Sequence, residues 1–272
     1  MKDIPVERWH RAAAARTSRR VFDGRVPAGE LLAPLDAVCR EFRPFPGARA
    51  ALVRESPGPV FKGLVGGYGR IKGAPLYAAF IADTGAARSL EAAGYIGEAV
   101  VLEATALGLG TCWVSGFFRP GAAAAHVSLK DGERILAVTP VGFAVEDLTF
   151  AEKTMKAFIK STRRKPVDEL VLEGTFEKSW QRAAVESARL APSAVNRQPW
   201  RFRLGPGAVD LSFDEAGPGT VGAKRLDCGI AMLHLELGAR AAGADGSWEF
   251  SDAPGVAVFR SASSPAAAGG SR

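Results

Sequence analysis

Residues 191–200, APSAVNRQPW, put a helix end, small polar groups, an amide and a proline break into ten positions. The preceding residues 176–190 carry apolar or alanine positions at three- and four-residue steps, the helical period. Pro192 ends that helix, because proline disfavours helical backbone at the residue before it. Ser193, Asn196 and Gln198 then fall in a turn whose backbone amides are not committed to a helix. Pro199 and Trp200 open an alternating run, WRFRL, that reads as a strand. A polar loop held between a helix and a strand suits the edge of a flat heteroaromatic ring, which needs donors and acceptors in one plane. Such residue types also make ordinary turns, so the reading depends on what other segments offer.

Three segments offer more. Residues 16–23, RTSRRVFD, follow the first helical stretch and supply Arg16, Ser18 and Arg20 at alternate positions. Arginine presents a planar fork of donors that matches a phosphate; a solvated basic face is the alternative. Residues 95–117, YIGEAVVLEATALGLGTCWVSGF, begin as an almost wholly apolar helix, so a central buried position is expected. Gly108 and Gly110 end it, and a strand is expected to start at residues 111–114. Residues 160–170, KSTRRKPVDEL, are a basic run after the strand-like residues 135–143; a solvated linker is the competing reading.

Together these runs resemble the flavin-dependent nitroreductase superfamily. There, a loop similar to residues 191–200 contacts FMN from across a dimer interface, and an Arg-x-Ser-x-Lys/Arg-x-Phe pattern follows the first helix. The resemblance implies that Arg16 and Ser18 face the FMN phosphate and ribityl chain. It implies Arg20 at the N1/O2 edge, where a cation stabilises the anionic reduced ring, and Phe22 packed beneath. Ser115 and Gly116 would bring backbone close to N5. A basic arm returning to the phosphate is matched best by Arg164, with Arg163 and Lys165 as neighbours. Pro192, Ser193, Asn196 and Gln198 would hold the flavin from the other side. Arg70 and Tyr68 are further candidates, for the flavin and for the substrate face.

The order of the pieces departs from that of an ordinary member, where the polar loop follows soon after the arginine motif. Here residues 41–47, EFRPFPG, stand in that place without Ser, Asn or Gln. The loop comes instead after the basic arm. It is followed by residues 225–243, RLDCGIAMLHLELGARAAG, a helix similar in position and pattern to the first apolar one. The chain thus resembles the small single-chain branch, the TM nitroreductase family, built from two diverged halves in tandem. An α+β fold is implied, with a central, mainly antiparallel sheet covered by helices and the halves forming an intramolecular pseudo-dimer. The expected halves are residues 1–165 and 166–260, the first ending in an arm that crosses the second. Residues 261–272, low in complexity, form a disordered tail. The pieces complete one site and leave its mirror without a polar loop or an arginine motif, so one FMN per chain is expected.

Composition is compatible. A chain of 272 residues is long enough for one large or two small cores. The net charge of +6 favours anionic ligands, but the basic residues are scattered and no nucleic-acid module is present. Cys39, Cys112 and Cys228 form no redox or metal pair, and His10, His126 and His234 stand apart from them, which argues against zinc. No signal peptide or membrane span is visible, and a cytoplasmic protein is expected. Residues 57–69, PGPVFKGLVGGYG, lack the context of a phosphate-binding loop and read as a flexible segment.

The function implied is hydride transfer from NAD(P)H through flavin N5 to a small acceptor: a nitroaromatic, a quinone or an activated alkene. The cofactor carries the chemistry, and no side-chain acid or base stands out. Internal duplication makes a monomer possible. Two alternatives stay open: another flavin reaction on the same fold, and a non-enzymatic protein that binds flavin or lacks it.

Overall fold

Alternating or continuously apolar short runs bounded by Gly, Pro or Asp form the strands, and the long alanine- and leucine-rich runs form the helices. A computed structural model describes residues 3–55, 57–61, 71–145 and 163–262. Tyr68, Arg70, residues 160–162 and all but the first two residues of the expected tail lie outside that set. The first part of the chain contains α1 (Val6–Ala15), α2 (Gly29–Glu41), β1 (Ala48–Val53), the short α3 (Gly58–Phe61), β2 (Leu76–Asp83), α4 (Ser89–Ala106), β3 (Gly110–Thr111), α5 (Pro120–Ala124) and β4 (Glu133–Gly142). The second contains α6 (Val167–Leu170), β5 (Val171–Glu173), α7 (Ser179–Arg189), a 3-10 turn at Ala194–Asn196, β6 (Trp200–Gly205), β7 (Ala208–Phe213), α8 (Val221–Ala241), β8 (Gly246–Phe250) and β9 (Gly255–Ser261).

The strands form two sheets, which corrects the expectation of one central sheet. The first has the order β1-β2-β4-β3 and the second β5-β6-β7-β9-β8. With β5 set aside, the second order repeats the first, and in each sheet a long helix links the second strand to the third. Every pairing is antiparallel except β5 with β6. That parallel pairing ties the connecting segment to the edge of the second sheet.

The long helices α4 and α8 lie at the centre, buried along most of their length on nearly every face, with the few charged residues among them paired. They cross in backbone contact. A Cβ on Gly94 would overlap the Leu226 carbonyl, and one on Gly229 would overlap the Glu91 carbonyl. Only glycine permits that approach. Each helix ends on a left-handed glycine, Gly108 at φ 76° and Gly243 at φ 83°, and the next residue donates back to a carbonyl of the last turn, Leu109 to Ala104 at 2.8 Å and Ala244 to Ala239 at 3.0 Å.

The charges on these buried helices are matched, since an unpaired buried charge is strongly unfavourable. Glu103 takes a two-pronged hydrogen bond from Arg8 at 2.8 and 3.0 Å and a third from Trp9 Nε1 at 2.8 Å. Glu91 pairs with Arg225. Glu98 accepts from Trp113 Nε1 at 2.7 Å and lies 2.8 Å from His234 Nε2. Glu236 accepts from Trp248 Nε1 at 2.8 Å and from the Tyr95 hydroxyl at 2.6 Å. On both long helices, therefore, a glutamate holds the indole that follows it and a polar side chain from the opposite helix.

Candidate functional site

The loop after α7 is strained. Ser193 is extended, at φ −146°, and its hydroxyl accepts the Gln198 amide at 2.9 Å. Val195, Asn196 and Gln198 then take φ values of 49°, 55° and 49°. A β-branched residue in the left-handed region is unusual, and such conformations cost about 1–3 kcal/mol each. Neighbouring structure holds the loop there. Asp227 on α8 accepts the Ala194 amide at 3.2 and 3.3 Å through its two oxygens, and its Oδ2 lies 3.2 Å from Arg197 Nε. Burial pushes the Asp227 carboxyl up to about 7, against the opposing pull of Arg197 and the Ala194 amide.

The polar side chains of this loop hold the connecting segment. Arg164 Nη1 donates to Asn196 Oδ1 at 2.9 Å, and Asn196 Nδ2 donates to the Arg163 carbonyl at 2.8 Å. Gln198 accepts the Lys165 amide at 2.9 Å and donates to the Arg163 carbonyl at 3.2 Å. Arg164 Nη2 donates to the Leu190 carbonyl at 3.2 Å. Desolvation first, and then the charges of Arg16 and Arg189, lower the Arg164 pKa to about 10.

The arginine motif is zipped between two backbones. Arg20 and Lys72 exchange main-chain contacts through Lys72 N to Arg20 O at 2.9 Å and Phe22 N to Lys72 O at 2.9 Å, while the Arg19 amide donates to Thr111 O at 2.7 Å. This spacing leaves Arg16, Ser18 and Arg20 facing one way. Arg16 Nε is buried and, among the described residues, has no hydrogen-bond partner. Beyond β3, the expected strand over residues 111–114 shortens to Thr111 and an isolated bridge at Val114. The chain then passes through Ser115 and Gly116.

These segments meet around one cavity of about 620 Å³. Arg16, Ser18, Arg20, Ser115 and Gly116 line it from the first part of the chain, and Pro192, Ser193 and Asn196 from the second. Arg164 reaches it from the connection between them. Gln198 does not line it, because its amide is used on the backbone of residues 163–165 behind the wall. Phe22 is buried but is also absent from the lining, its ring lying beside Gly142 instead. The sequence reading missed Trp113, Arg197, Asp227 and the first turns of α8, all of which face the cavity. Asp227 left one signal, an acid inside an otherwise buried helix. Phe117 and Val195, two of the exposed large apolar side chains, are also part of the wall. Cys112 lines it too, and all three cysteines are buried free thiols. No helix among the described residues is long and apolar enough to cross a membrane.

The chain is similar to known proteins. The family model described as "Putative TM nitroreductase" matches residues 10–239. The crystal structure of a protein titled a putative nitroreductase from Thermotoga maritima superposes with a TM-score of 0.60 at 19% identity, covering 96% of both chains. A nitroreductase family protein from Clostridium difficile has 21% identity and a TM-score of 0.44, with 62% of this chain and 98% of the other covered. A Bacteroides fragilis nitroreductase with bound FMN has 14% identity and a TM-score of 0.41, covering 54% of this chain and 92% of its own. No curated protein matches the chain. The match over residues 10–239 identifies the chain as a member of the TM nitroreductase family.

Proposed function

We propose that the protein is an FMN-dependent oxidoreductase that draws on NAD(P)H and reduces a small acceptor, with one flavin held in the cavity between the halves. The observation that carries this reading is convergence: nine of the ten residues expected to bind the flavin, drawn from four separate segments, line one cavity.

The residues present fit the cofactor. Among the described residues the buried Arg16 Nε has no hydrogen-bond partner, and Arg164 is driven toward deprotonation by burial and by Arg16. A phosphate relieves both conditions, because it accepts charge-assisted hydrogen bonds and offsets two neighbouring cations. Val114, Leu136, Leu226 and Ile230 give the cavity an apolar wall suited to a flat ring. When bound, FMN supplies two-electron chemistry, taking hydride from a nicotinamide and passing it to an acceptor. Arg16, Ser18 and Arg164 hold the phosphate. Arg20 supplies positive charge at the ring edge, and the backbone at Ser115 and Gly116 borders the ring. Asn196 acts chiefly by aiming Arg164.

A duplicated chain with a single working site accounts for the remaining asymmetry. Gly94 and Gly229, Gly108 and Gly243, and Trp113 and Trp248 are pairs with the same separation of 135 residues. On that spacing Phe250 corresponds to Ser115 and Tyr95 to Ile230. Phe45 comes from the loop that stands where residues 191–200 stand in the other half. Its ring packs on Tyr95 at 5.0 Å and on Phe250 at 5.1 Å. Aromatic side chains therefore fill the region equivalent to the cavity, and Arg88 pairs with Asp252 beside it at 2.7 Å. The contact between halves, made by α4 and α8, is internal, so the active unit is a monomer.

Purified protein would be titrated with FMN, washed and denatured to count the flavin released. One equivalent per chain is expected. Two equivalents would overturn the single-site reading, and a protein that takes up none would overturn the enzyme reading.

A further inference from the structure

We propose that Asp227 is a positioning residue of the site: from the second turn of α8, its carboxylate holds the turn at Ala194–Asn196 in the conformation that presents Asn196, and through it Arg164, to the cavity. The link to cofactor rests on the flavin reading above; the link to the loop does not.

Three observations carry the inference. The bonds are specific. Among the described residues, the partners of Asp227 are the Ala194 amide and Arg197. Arg197 Nε also donates to the Ala194 carbonyl at 3.2 Å, and Nη1 donates to the Pro218 carbonyl at 3.3 Å. The acid and the guanidinium thus clasp both peptide groups of Ala194 and tie them to the start of α8. Gly219, at φ 107°, leaves the space that the guanidinium fills, since a Cβ there would overlap it.

The acid also occurs only where it has this work. The position equivalent to Asp227 in the first half, at the 135-residue spacing, is Ala92. The loop of that half, residues 41–47, contains no Ser, Asn or Gln. A carboxylate stands on the central helix where the loop carries Ser193, Asn196 and Gln198, and an alanine stands at the equivalent helix position where the loop has none of these residue types.

Finally, both partners are in unfavourable states that packing alone would not select. Asp227 is 4% exposed, and desolvation dominates its environment. The loop it holds contains a valine and an asparagine in the left-handed region. Strain and buried charge at one place mark a site whose geometry is maintained at the expense of stability.

The test is amide hydrogen exchange of the full chain without cofactor, at a pH where the carboxylate is ionised, comparing wild type with Asp227→Asn and Arg197→Gln. The amides of Ala194, Asn196, Arg197 and Gln198 are the readout, because each is hydrogen-bonded within the clasp or the turn. Both variants should speed their exchange about tenfold or more, while α4 and the rest of α8 keep wild-type protection. FMN affinity, read by quenching of flavin fluorescence, should fall about tenfold in each, and the double variant should lose little more than either alone. Unchanged loop exchange in Asp227→Asn overturns the proposal, as does faster exchange with unchanged FMN affinity. If Asp227→Asn fails to fold, Arg197→Gln decides by the same two readouts. A wild type that binds no FMN would defeat the flavin reading, and loop exchange would still decide the role of Asp227.

Discussion

Arg164 Nη1 donates to Asn196 Oδ1 at 2.9 Å across 32 residues of sequence. Asn196 in turn donates to the carbonyl of Arg163, the residue just before Arg164. The asparagine therefore fixes both the side chain and the backbone of the basic segment. Read from the sequence, the two residues were separate contacts to one ligand; in the fold, one of them aims the other.

Replacing Asn196 with alanine removes both bonds and leaves Arg164 held by the Leu190 carbonyl and its remaining contacts. We expect FMN affinity to fall about tenfold, the worth of one charge-assisted hydrogen bond. Global stability should fall by only about 0.5–1 kcal/mol, less than the loss of affinity, because alanine tolerates the left-handed backbone at Asn196 less well than asparagine. Flavin fluorescence titration and a denaturant curve measure the two effects. A loss of stability matching the loss of affinity would show that Asn196 supports the fold and has no specific part in the site.

On the proposed reading, Arg16 faces the FMN phosphate. Arg16→Gln should weaken FMN by one to two orders of magnitude, in keeping with a lost charged hydrogen bond in a partly desolvated site. Riboflavin, which lacks the phosphate, should bind wild type and variant alike. Equal losses for both ligands would place Arg16 elsewhere than at the phosphate.

Much of this arrangement was legible beforehand, and the reasons differ by residue. The apolar run around Ile96 and Leu102 could only be a central helix, and the glycine at 108 ended it as expected. The loop at 193–198 stood out because Pro192 breaks the helix and polar residues follow at once. The use to which Asn196 and Gln198 are put was hidden, since their partners lie about thirty residues upstream and sequence does not show tertiary pairing. Val195 gave no warning of its left-handed backbone, because a β-branched residue is normally excluded there; the clasp by Asp227 and Arg197 overrides the local preference. Asp227 itself was visible as a charge in an apolar helix, but the face it occupies depends on how α8 crosses α4. The division into two sheets was not legible either, because alternation identifies strands and leaves open which ones pair.

The crossing of α4 and α8 should be intolerant of any side chain at its glycines. Gly94→Ala places a methyl against the Leu226 carbonyl, and Gly229→Ala places one against the Glu91 carbonyl. Neither obstacle is a flexible side chain that can turn aside. Each variant should lose about 3 kcal/mol or more of unfolding free energy, at the upper end of overpacking penalties. The gain in helix propensity, about 1 kcal/mol, is too small to compensate. Gly121→Ala, where nothing lies within 4 Å of the added Cβ, serves as the control. Denaturant midpoints compare the three, and near-native stability in Gly94→Ala would mean that the helices can separate without loss.

Phe45 offers a test of the single-site reading. Its ring meets Tyr95 and Phe250 edge-on at 5.0 and 5.1 Å. Phe45→Ala should lower stability by about 2 kcal/mol, less than for a fully buried phenylalanine because Phe45 is only partly buried. Flavin content should stay at one equivalent, since opening space supplies neither an arginine motif nor a polar loop. A second equivalent of bound FMN in this variant would show that aromatic filling alone had closed the mirror site.

Asp227 makes stability depend on pH in a direction opposite to that of an ordinary salt-bridged carboxylate. Burial raises its pKa in the folded chain from 3.8 to about 7. Between those values the folded chain holds a proton that the unfolded chain has released, so raising the pH favours unfolding. The contribution of Asp227 is therefore fully present below about pH 4 and is lost as the pH climbs through about 7. Asp227→Asn does not titrate. The stability of wild type relative to that variant should consequently decline across this interval, by roughly 1 kcal/mol per pH unit, and level off at higher pH. Denaturant curves for both proteins across the interval measure the slope. A difference that stays constant with pH would mean that the carboxylate titrates as it does in water, and a difference that grows in favour of wild type as the pH rises would mean that Arg197 outweighs desolvation at this site.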